Sequence, residues 1–100
     1  MNITIAGGGA FGTALANSLK KEHKITIHTR NKQVIHEINC YRKNISYFPN
    51  KVLSKQIKAS DDLTVANQAD FLFLCIPSHA IVSYIKLLNL NSNCIIINGS

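Results

Sequence analysis

The chain has 100 residues, of which 46% are hydrophobic, and a formal net charge of +6. This length suits one domain, and the longest apolar run, residues 71–77, is far shorter than a membrane span of about 20 residues. We expect no membrane interaction, no signal peptide and a cytoplasmic location. The basic residues are scattered without aromatic neighbours, which argues against nucleic-acid binding, although the positive field favours anionic ligands.

The cysteine and histidine residues give no sign of a metal site or a disulfide framework. The three cysteines and four histidines lack C-x-x-C or other metal-ligand spacing. We therefore expect neither a metal site nor a disulfide framework.

The first predicted element is an apolar strand at residues 3–6 that leads directly into a glycine-rich turn. Gly7, Gly9 and Gly12 form the pattern G-x-G-x-x-G, and a helix of small and apolar residues is predicted at 11–21. In such a turn the first glycine permits the bend, the second lets a pyrophosphate approach the backbone, and the third lets the helix lie close to the sheet. The helix then offers unpaired N–H groups to the phosphates. This arrangement predicts a dinucleotide site rather than a purely structural turn.

Strands and helices alternate along the rest of the chain. Residues 41–56 are irregular and polar and predict a surface loop, and Ser60 is a candidate N-cap for the helix after it. The order predicts an α/β, Rossmann-type, doubly wound parallel sheet of about five strands in the order 3-2-1-4-5. After the first strand, we expect four more strands, at residues 24–29, 57–59, 71–76 and 94–97. After the first helix, we expect two more long helices, at residues 32–40 and 79–88.

Helical periodicity also predicts which side chains face the core. A strand that is apolar at every position, as at 71–76, is expected to be covered on both faces, and Pro77 is expected to end it. The inward-facing residues of the helices are expected to be Phe11, Ala14, Leu15 and Leu19 in the first and Ile81, Val82, Ile85 and Leu88 in the last.

The end of the second strand bears on the choice of cofactor. An NAD-preferring site usually places Asp or Glu there to accept a hydrogen bond from the ribose 2′-hydroxyl. The sequence here is His28-Thr-Arg-Asn31, without a carboxylate. Arg30 is suited to pair with the 2′-phosphate of NADP through its planar guanidinium, and the alternative is a solvated arginine. The sequence therefore favours NADP over NAD.

Four segments carry a further pattern: Gly-Gly-Gly-Ala-Phe-Gly-Thr-Ala-Leu-Ala at 7–16, Asn-Ile-Ser-Tyr-Phe-Pro at 44–49, Ile-Lys-Ala-Ser-Asp-Asp-Leu at 57–63, and Ala-Asp-Phe-Leu-Phe-Leu-Cys-Ile-Pro-Ser-His at 69–79. In order and spacing they resemble the N-terminal domain of the bacterial NAD(P)-dependent glycerol-3-phosphate dehydrogenases. The glycine motif is shared by many dehydrogenases, whereas the second and fourth segments are more selective.

The resemblance implies an enzyme that interconverts dihydroxyacetone phosphate and glycerol 3-phosphate by hydride transfer, for phospholipid synthesis. Asn98 stands where the family has a lysine that reaches cofactor and substrate, so the catalytic residues stay unassigned. Together, chemistry and resemblance assign cofactor binding to Gly7, Gly8, Gly9, Ala10, Phe11, Gly12, Arg30, Tyr47, Pro77, Ser78 and Asn98.

Family members continue into a C-terminal helical domain that holds the catalytic lysine and most of the substrate site. We therefore expect residues 1–100 to form a dinucleotide-binding domain without the substrate domain, inactive alone and able to self-associate through exposed apolar surface. One alternative is a nucleotide-binding module without catalysis. Another is a different Rossmann enzyme, such as a ketopantoate reductase or a hydroxyacyl dehydrogenase, which fits the second and fourth segments poorly.

Overall fold

A single parallel sheet forms the centre of the protein, in a computed structural model that describes residues 1–19 and 22–99. Its five strands have the order β3-β2-β1-β4-β5, which confirms the predicted fold class and strand order. The strands are β1 (Asn2–Ala6), β2 (Lys24–His28), β3 (Ile57–Ser60), β4 (Phe71–Leu74) and β5 (Ile95–Asn98). The helices are α1 (Ala10–Ser18), α2 (Lys32–Tyr41), α3 (Thr64–Asn67) and α4 (Ile81–Lys86), with a 3₁₀ turn at Ser78–Ala80.

Helices cover both faces of the sheet. Ile5 and Ala6 are neighbours in β1 but belong to different apolar clusters, because successive side chains of a strand point to opposite faces. The Ile5 cluster includes Ala16 of α1 and Val34 of α2, and the Ala6 cluster includes Ala66 of α3. The strand order reverses between β1 and β4, so a crevice is expected at the carboxyl ends of these two strands.

The inner face of α1 differs from the prediction. Its buried residues are Gly12, Thr13 and Ala16, whereas Phe11 is 59% exposed. A Cβ atom on Gly12 would overlap the carbonyl oxygen of Gly7, so the helix packs too closely on the turn for larger side chains. The expected inward placement of Phe11 and Ala14 was therefore wrong, although Leu15 and Leu19 do pack half-buried against the core. The predicted C-terminal end of this helix, residues 20–21, lies outside the described residues.

Ser60 does not begin a helix. It is the last residue of β3, and its hydroxyl accepts a hydrogen bond from the N–H of Asp62 at 3.0 Å. The Asp62 carboxylate accepts from the N–H of Thr64, also at 3.0 Å, and α3 begins only at Thr64. These two short side-chain turns occupy the residues that the sequence assigned to the first turn of the helix.

β4 and α4 are shorter than predicted. β4 ends at Leu74, which is level with Ala6 of β1 and Asn98 of β5, because both partner strands end there. The strand therefore stops before it reaches Pro77. On α4, Val82 is 63% exposed, so its expected inward placement was wrong. The helical spacing of Ile81, Tyr84 and Ile85 directs these side chains into the apolar cluster instead.

The segment between α2 and β3, residues 42–56, is irregular as predicted but is not wholly at the surface. Asn44 is fully buried and Leu53 is 3% exposed. The side chain of Asn17 on α1 accepts a hydrogen bond from the N–H of Ser54 at 3.1 Å. The segment thus packs over α1, which corrects the expectation of a surface loop.

Candidate cofactor site

Two of the three motif glycines are required by the fold. Gly7 follows β1 with a φ of +126°, a backbone conformation that other residues rarely adopt. A Cβ atom at Gly7 would also overlap the carbonyl oxygen of Cys75. Gly12 is required in turn by its close approach to Gly7. These contacts produce the tight bend and the close helix packing that the motif predicts.

Gly9 is different, because nothing in the fold requires a glycine there. Its φ of −81° and ψ of −168° are extended backbone that any residue adopts. Among residues 1–19 and 22–99, a Cβ atom built on Gly9 would meet no atom within 4 Å. The space in front of this residue is therefore open, and close approach of a ligand to the backbone gives a physical reason for glycine at this position.

The N-terminus of α1 faces the same open space. The first helical hydrogen bond runs from the N–H of Thr13 to the carbonyl of Gly9 at 3.1 Å, so the N–H groups of Ala10, Phe11 and Gly12 precede it. The first turn of α1 carries no acidic side chain. A helix start of this kind, with free donors and the positive end of the helix dipole, is suited to bind a phosphate group.

The buried Asn44 holds this turn in place. Its Nδ2 donates to the carbonyl of Gly8 and to the hydroxyl oxygen of Thr13, both at 2.8 Å. The sequence predicted no role for Asn44 beyond its place in one of the four segments that resemble the family. A polar residue in a polar loop gives no signal of burial, so the spacing Asn44-x-x-Tyr47 was the only sequence feature that could have singled it out.

A cavity of about 470 Å³ opens beside Gly7, at the carboxyl ends of β1, β2 and β4. This volume lies within the range of small-molecule sites, about 300–1,000 Å³. Its apolar lining comes from Leu63, Ile76 and Leu87, and Arg30 and Asp61 add charged groups. The cavity thus combines an apolar lining with one guanidinium and one carboxylate.

His28 and Tyr84 join two walls of this cavity. His28 is buried, and its Nδ1 lies 2.6 Å from the hydroxyl of Tyr84, with the ring centroids 5.5 Å apart. Burial raises the pKa of Tyr84 to about 12, so its hydroxyl stays protonated and can donate to the imidazole. The bond connects the end of β2 to α4 across 56 positions of sequence.

The charged side of the cavity contains a carboxylate that the sequence reasoning missed. Asp61 follows β3 and forms an ion pair with Lys32 at the start of α2. The hydrogen bond and charge of Lys32 lower the pKa of Asp61, which therefore stays ionised at neutral pH. The end of β2 has no carboxylate in the sequence, whereas the neighbouring strand β3 brings Asp61 to the cavity.

The predicted cofactor residues that follow β4 or end β5 also lie at the carboxyl edge of the sheet. Asn98 ends β5 and is exposed. A Cβ atom on Gly99 would lie 3.3 Å from the ring of Phe11, so the end of β5 and the start of α1 are close neighbours. Pro77 and Ser78 are exposed just beyond β4.

Tyr47 is placed differently from the other predicted residues. It is 50% exposed in the segment between α2 and β3, and its N–H donates to the carbonyl of Asn44 at 3.1 Å. It is not among the residues that line the cavity. Its assignment to the cofactor stays a prediction that rests on the resemblance.

Other kinds of site have little support. Burial raises the pKa of the Cys75 thiol, which disfavours the reactive thiolate. Within residues 1–19 and 22–99, no group of three or more His, Cys, Asp or Glu side chains could hold a metal ion. In the same part of the chain, no helix has the length and apolar character needed to cross a membrane.

The parallel sheet with its reversal beside β1, the glycine turn and the open start of α1 define a Rossmann-type dinucleotide-binding domain. The family model for the N-terminus of NAD-dependent glycerol-3-phosphate dehydrogenase matches residues 2–99. The chain belongs to this family. The match decides against the other Rossmann enzymes considered from the sequence.

Individual relatives agree with the family match. The chain is 43% identical over 81 residues to a glycerol-3-phosphate dehydrogenase [NAD(P)+] of Clostridium acetobutylicum, covering 79% of this chain and 24% of the relative. It is 34% identical over 88 residues to the Rickettsia typhi protein of the same name, covering 87% of this chain and 28% of the relative. The chain thus spans about a quarter of the length of these relatives.

Solved structures show the same fold. Glycerol-3-phosphate dehydrogenase from Coxiella burnetii superposes with a TM-score of 0.82 at 26% identity, covering 97% of this chain and 31% of that one. The enzyme from Saccharomyces cerevisiae gives a TM-score of 0.84 at 19% identity, covering 97% and 32%, and this likeness concerns the fold alone.

Proposed function

We propose that this chain is the dinucleotide-binding part of an NAD(P)-dependent sn-glycerol-3-phosphate dehydrogenase, which interconverts dihydroxyacetone phosphate and glycerol 3-phosphate. The observation that carries the proposal is the open space at Gly9, in front of the N-terminus of α1. The fold explains Gly7 and Gly12 without a ligand but does not explain Gly9. Family membership supports the particular reaction.

In this proposal the cofactor lies along the carboxyl edge of the sheet. The backbone from Gly7 to Gly12, including Gly8, Ala10 and Phe11, holds the pyrophosphate against the start of α1. The cavity takes the adenosine end, and Arg30 at its charged side binds the 2′-phosphate of NADP. The nicotinamide ring, which exchanges the hydride, then lies toward Pro77, Ser78 and Asn98.

The same proposal explains why this part alone should not catalyse the reaction. Reduction of a carbonyl needs a positive or hydrogen-bonding group on the developing alkoxide and a proton donor. Asn98 is neutral and lies at an exposed strand end, where water weakens its electrostatic contribution. We propose that the cation and the proton donor come from a part of the enzyme beyond the quarter of the relatives' length that this chain matches.

A further part of the proposal concerns the outer edge of the sheet. Among the described strands β5 lies at the edge of the sheet next to β4. Its isoleucines are exposed by 52% (Ile95), 45% (Ile96) and 37% (Ile97). Exposed apolar edge strands favour association. We propose that the chain by itself self-associates through β5.

The test of cofactor binding uses Gly9→Val. The isopropyl group would fill the space proposed for the pyrophosphate, while the ordinary backbone angles of Gly9 and its lack of neighbours leave the fold intact. We expect titration calorimetry with NADPH and NADH to show micromolar to millimolar binding by the wild-type chain and none by Gly9→Val. Ala14→Val, at an exposed position of α1, is the control and should bind normally.

Circular dichroism and urea unfolding establish that both variants are folded. A folded wild-type chain that binds neither cofactor would refute the proposed function. Unchanged binding by a folded Gly9→Val variant would show that the pyrophosphate does not lie at this turn.

A further inference from the structure

We infer that Asp61 is a specificity-determining residue for the ribose end of the cofactor, and that Lys32 sets how strongly Asp61 acts. The inference rests on the proposed function and deepens it. It concerns the choice between NADPH and NADH, which differ by the phosphate on the 2′-oxygen of the adenosine ribose.

Asp61 is brought to the site by the pairing of two strands. Arg30 and Asp61 line the same cavity although they follow different strands, β2 and β3. The N–H of Thr29, which follows β2, donates to the carbonyl of Ser60, the last residue of β3, at 3.0 Å. This bond holds the residues that immediately follow the two strands side by side.

The two side chains act in opposite directions on a 2′-substituent. A carboxylate accepts hydrogen bonds from a ribose hydroxyl and repels a phosphate, whereas the guanidinium of Arg30 attracts the phosphate. Asp61 therefore favours NADH, and Arg30 favours NADPH. The structure places both on one cavity, so the preference is a balance between them.

Lys32 shifts this balance toward NADPH. Its ammonium group pairs with the Asp61 carboxylate and partly neutralises it. Lys32 is not itself a lining residue, but with Arg30 and Lys32 positive and Asp61 negative these three side chains carry a formal charge of +1. A site with this charge accepts a ribose hydroxyl at Asp61 and still tolerates a phosphate.

The expected effect is modest because these groups are exposed. The side chain of Asp61 is 41% exposed and that of Lys32 is 80% exposed, so water screens both. In a water-like medium, one unit charge about 4 Å from another changes Kd by about fivefold.

The experiment compares Asp61→Asn and Lys32→Gln with Asp62→Asn as the matched control. Asp62→Asn removes the same charge one position along the chain, from a residue that does not line the cavity, and the amide oxygen can still accept from Thr64. Dissociation constants are measured for NADPH and NADH at low ionic strength. They are also measured for 2′,5′-ADP and 5′-AMP, which differ by the same 2′-phosphate and lack the nicotinamide.

We expect Asp61→Asn to raise the preference for the 2′-phosphorylated ligand about fivefold, in both ligand pairs, and Lys32→Gln to lower it. Asp62→Asn should leave it within about twofold of the wild-type value. Binding with an unchanged preference in both Asp61→Asn and Lys32→Gln would overturn this inference alone. So would an equal shift in Asp62→Asn, since that would indicate a long-range charge effect. A folded wild-type chain that binds none of the four ligands would instead overturn the proposed function together with it.

Discussion

Replacing Asn44 by alanine should destabilise the protein and loosen the glycine turn at the same time. The variant loses two hydrogen bonds of 2.8 Å and leaves the carbonyl of Gly8 and the hydroxyl of Thr13 without this donor, at a fully buried position. A hydrogen bond contributes about 1 kcal/mol net, and a buried polar group left without a partner costs about 1–3 kcal/mol. We expect the free energy of unfolding to fall by about 2–4 kcal/mol.

Asn39→Ala is the matched control, because Asn39 also makes two side-chain hydrogen bonds. Its amide donates to the carbonyl of Ala59 and accepts from the N–H of Ala59, both at 2.8 Å, but Asn39 is an exposed residue whereas Asn44 is fully buried. Urea unfolding should show a loss of about 1 kcal/mol for this variant. Titration with NADPH, under conditions in which both variants are folded, should show weaker binding only for Asn44→Ala.

A loss of stability no greater than that of Asn39→Ala would show that the buried hydrogen bonds of Asn44 do not stabilise the fold as expected. Normal NADPH affinity in a folded Asn44→Ala variant would refute the expected loosening of the glycine turn, because it would show that the turn keeps its shape without the bond to Gly8.

Three further predictions concern the cavity and the sheet edge. Arg30→Ala should weaken NADPH binding by about 1.5 kcal/mol and leave NADH binding nearly unchanged. Lys58→Ala, which removes an exposed cation on β3, is the control. Equal losses for both cofactors would show that Arg30 does not contact the 2′-phosphate. Tyr84→Phe should lose about 1–2 kcal/mol of stability at neutral pH, because His28 loses its 2.6 Å partner. The pKa of Tyr84 is raised to about 12, so the folded state retains a proton that the unfolded state releases near pH 10. The free energy of unfolding should therefore fall as the pH rises from about 10 to about 12, and it should fall less steeply in Tyr84→Phe. Identical pH slopes for the two proteins in urea unfolding would contradict this. Sedimentation velocity should show that the wild-type chain associates as its concentration rises. Ile96→Lys should reduce this association, whereas Val52→Lys, at another exposed position, should not. A wild-type chain that stays monomeric would contradict the role of β5.

The sequence alone was sufficient for the architecture. Alternating strand and helix patterns leave few topologies open, because parallel crossovers are right-handed and short. The motif Gly7-x-Gly9-x-x-Gly12 locates the turn where the strand order reverses. These signals are local in sequence, which is why the order 3-2-1-4-5 could be predicted and was confirmed.

Local signals were less reliable for packing and for element ends. Helical periodicity predicted that Phe11 lies on the core-facing side of α1. The close approach of Gly12 to Gly7 leaves room there only for small side chains. The length of β4 depends on where its partner strands end, and the composition of β4 itself contains no information about that.

The details of the candidate site were decided by contacts between distant residues. Asn44 meets Thr13 across 31 positions of sequence, and His28 meets Tyr84 across 56. Asp61 reaches the cavity of Arg30 only because β2 and β3 are neighbours in the sheet. A pattern in the sequence reports the preferences of nearby residues, whereas a buried hydrogen bond or a shared cavity exists only once the strands are assembled.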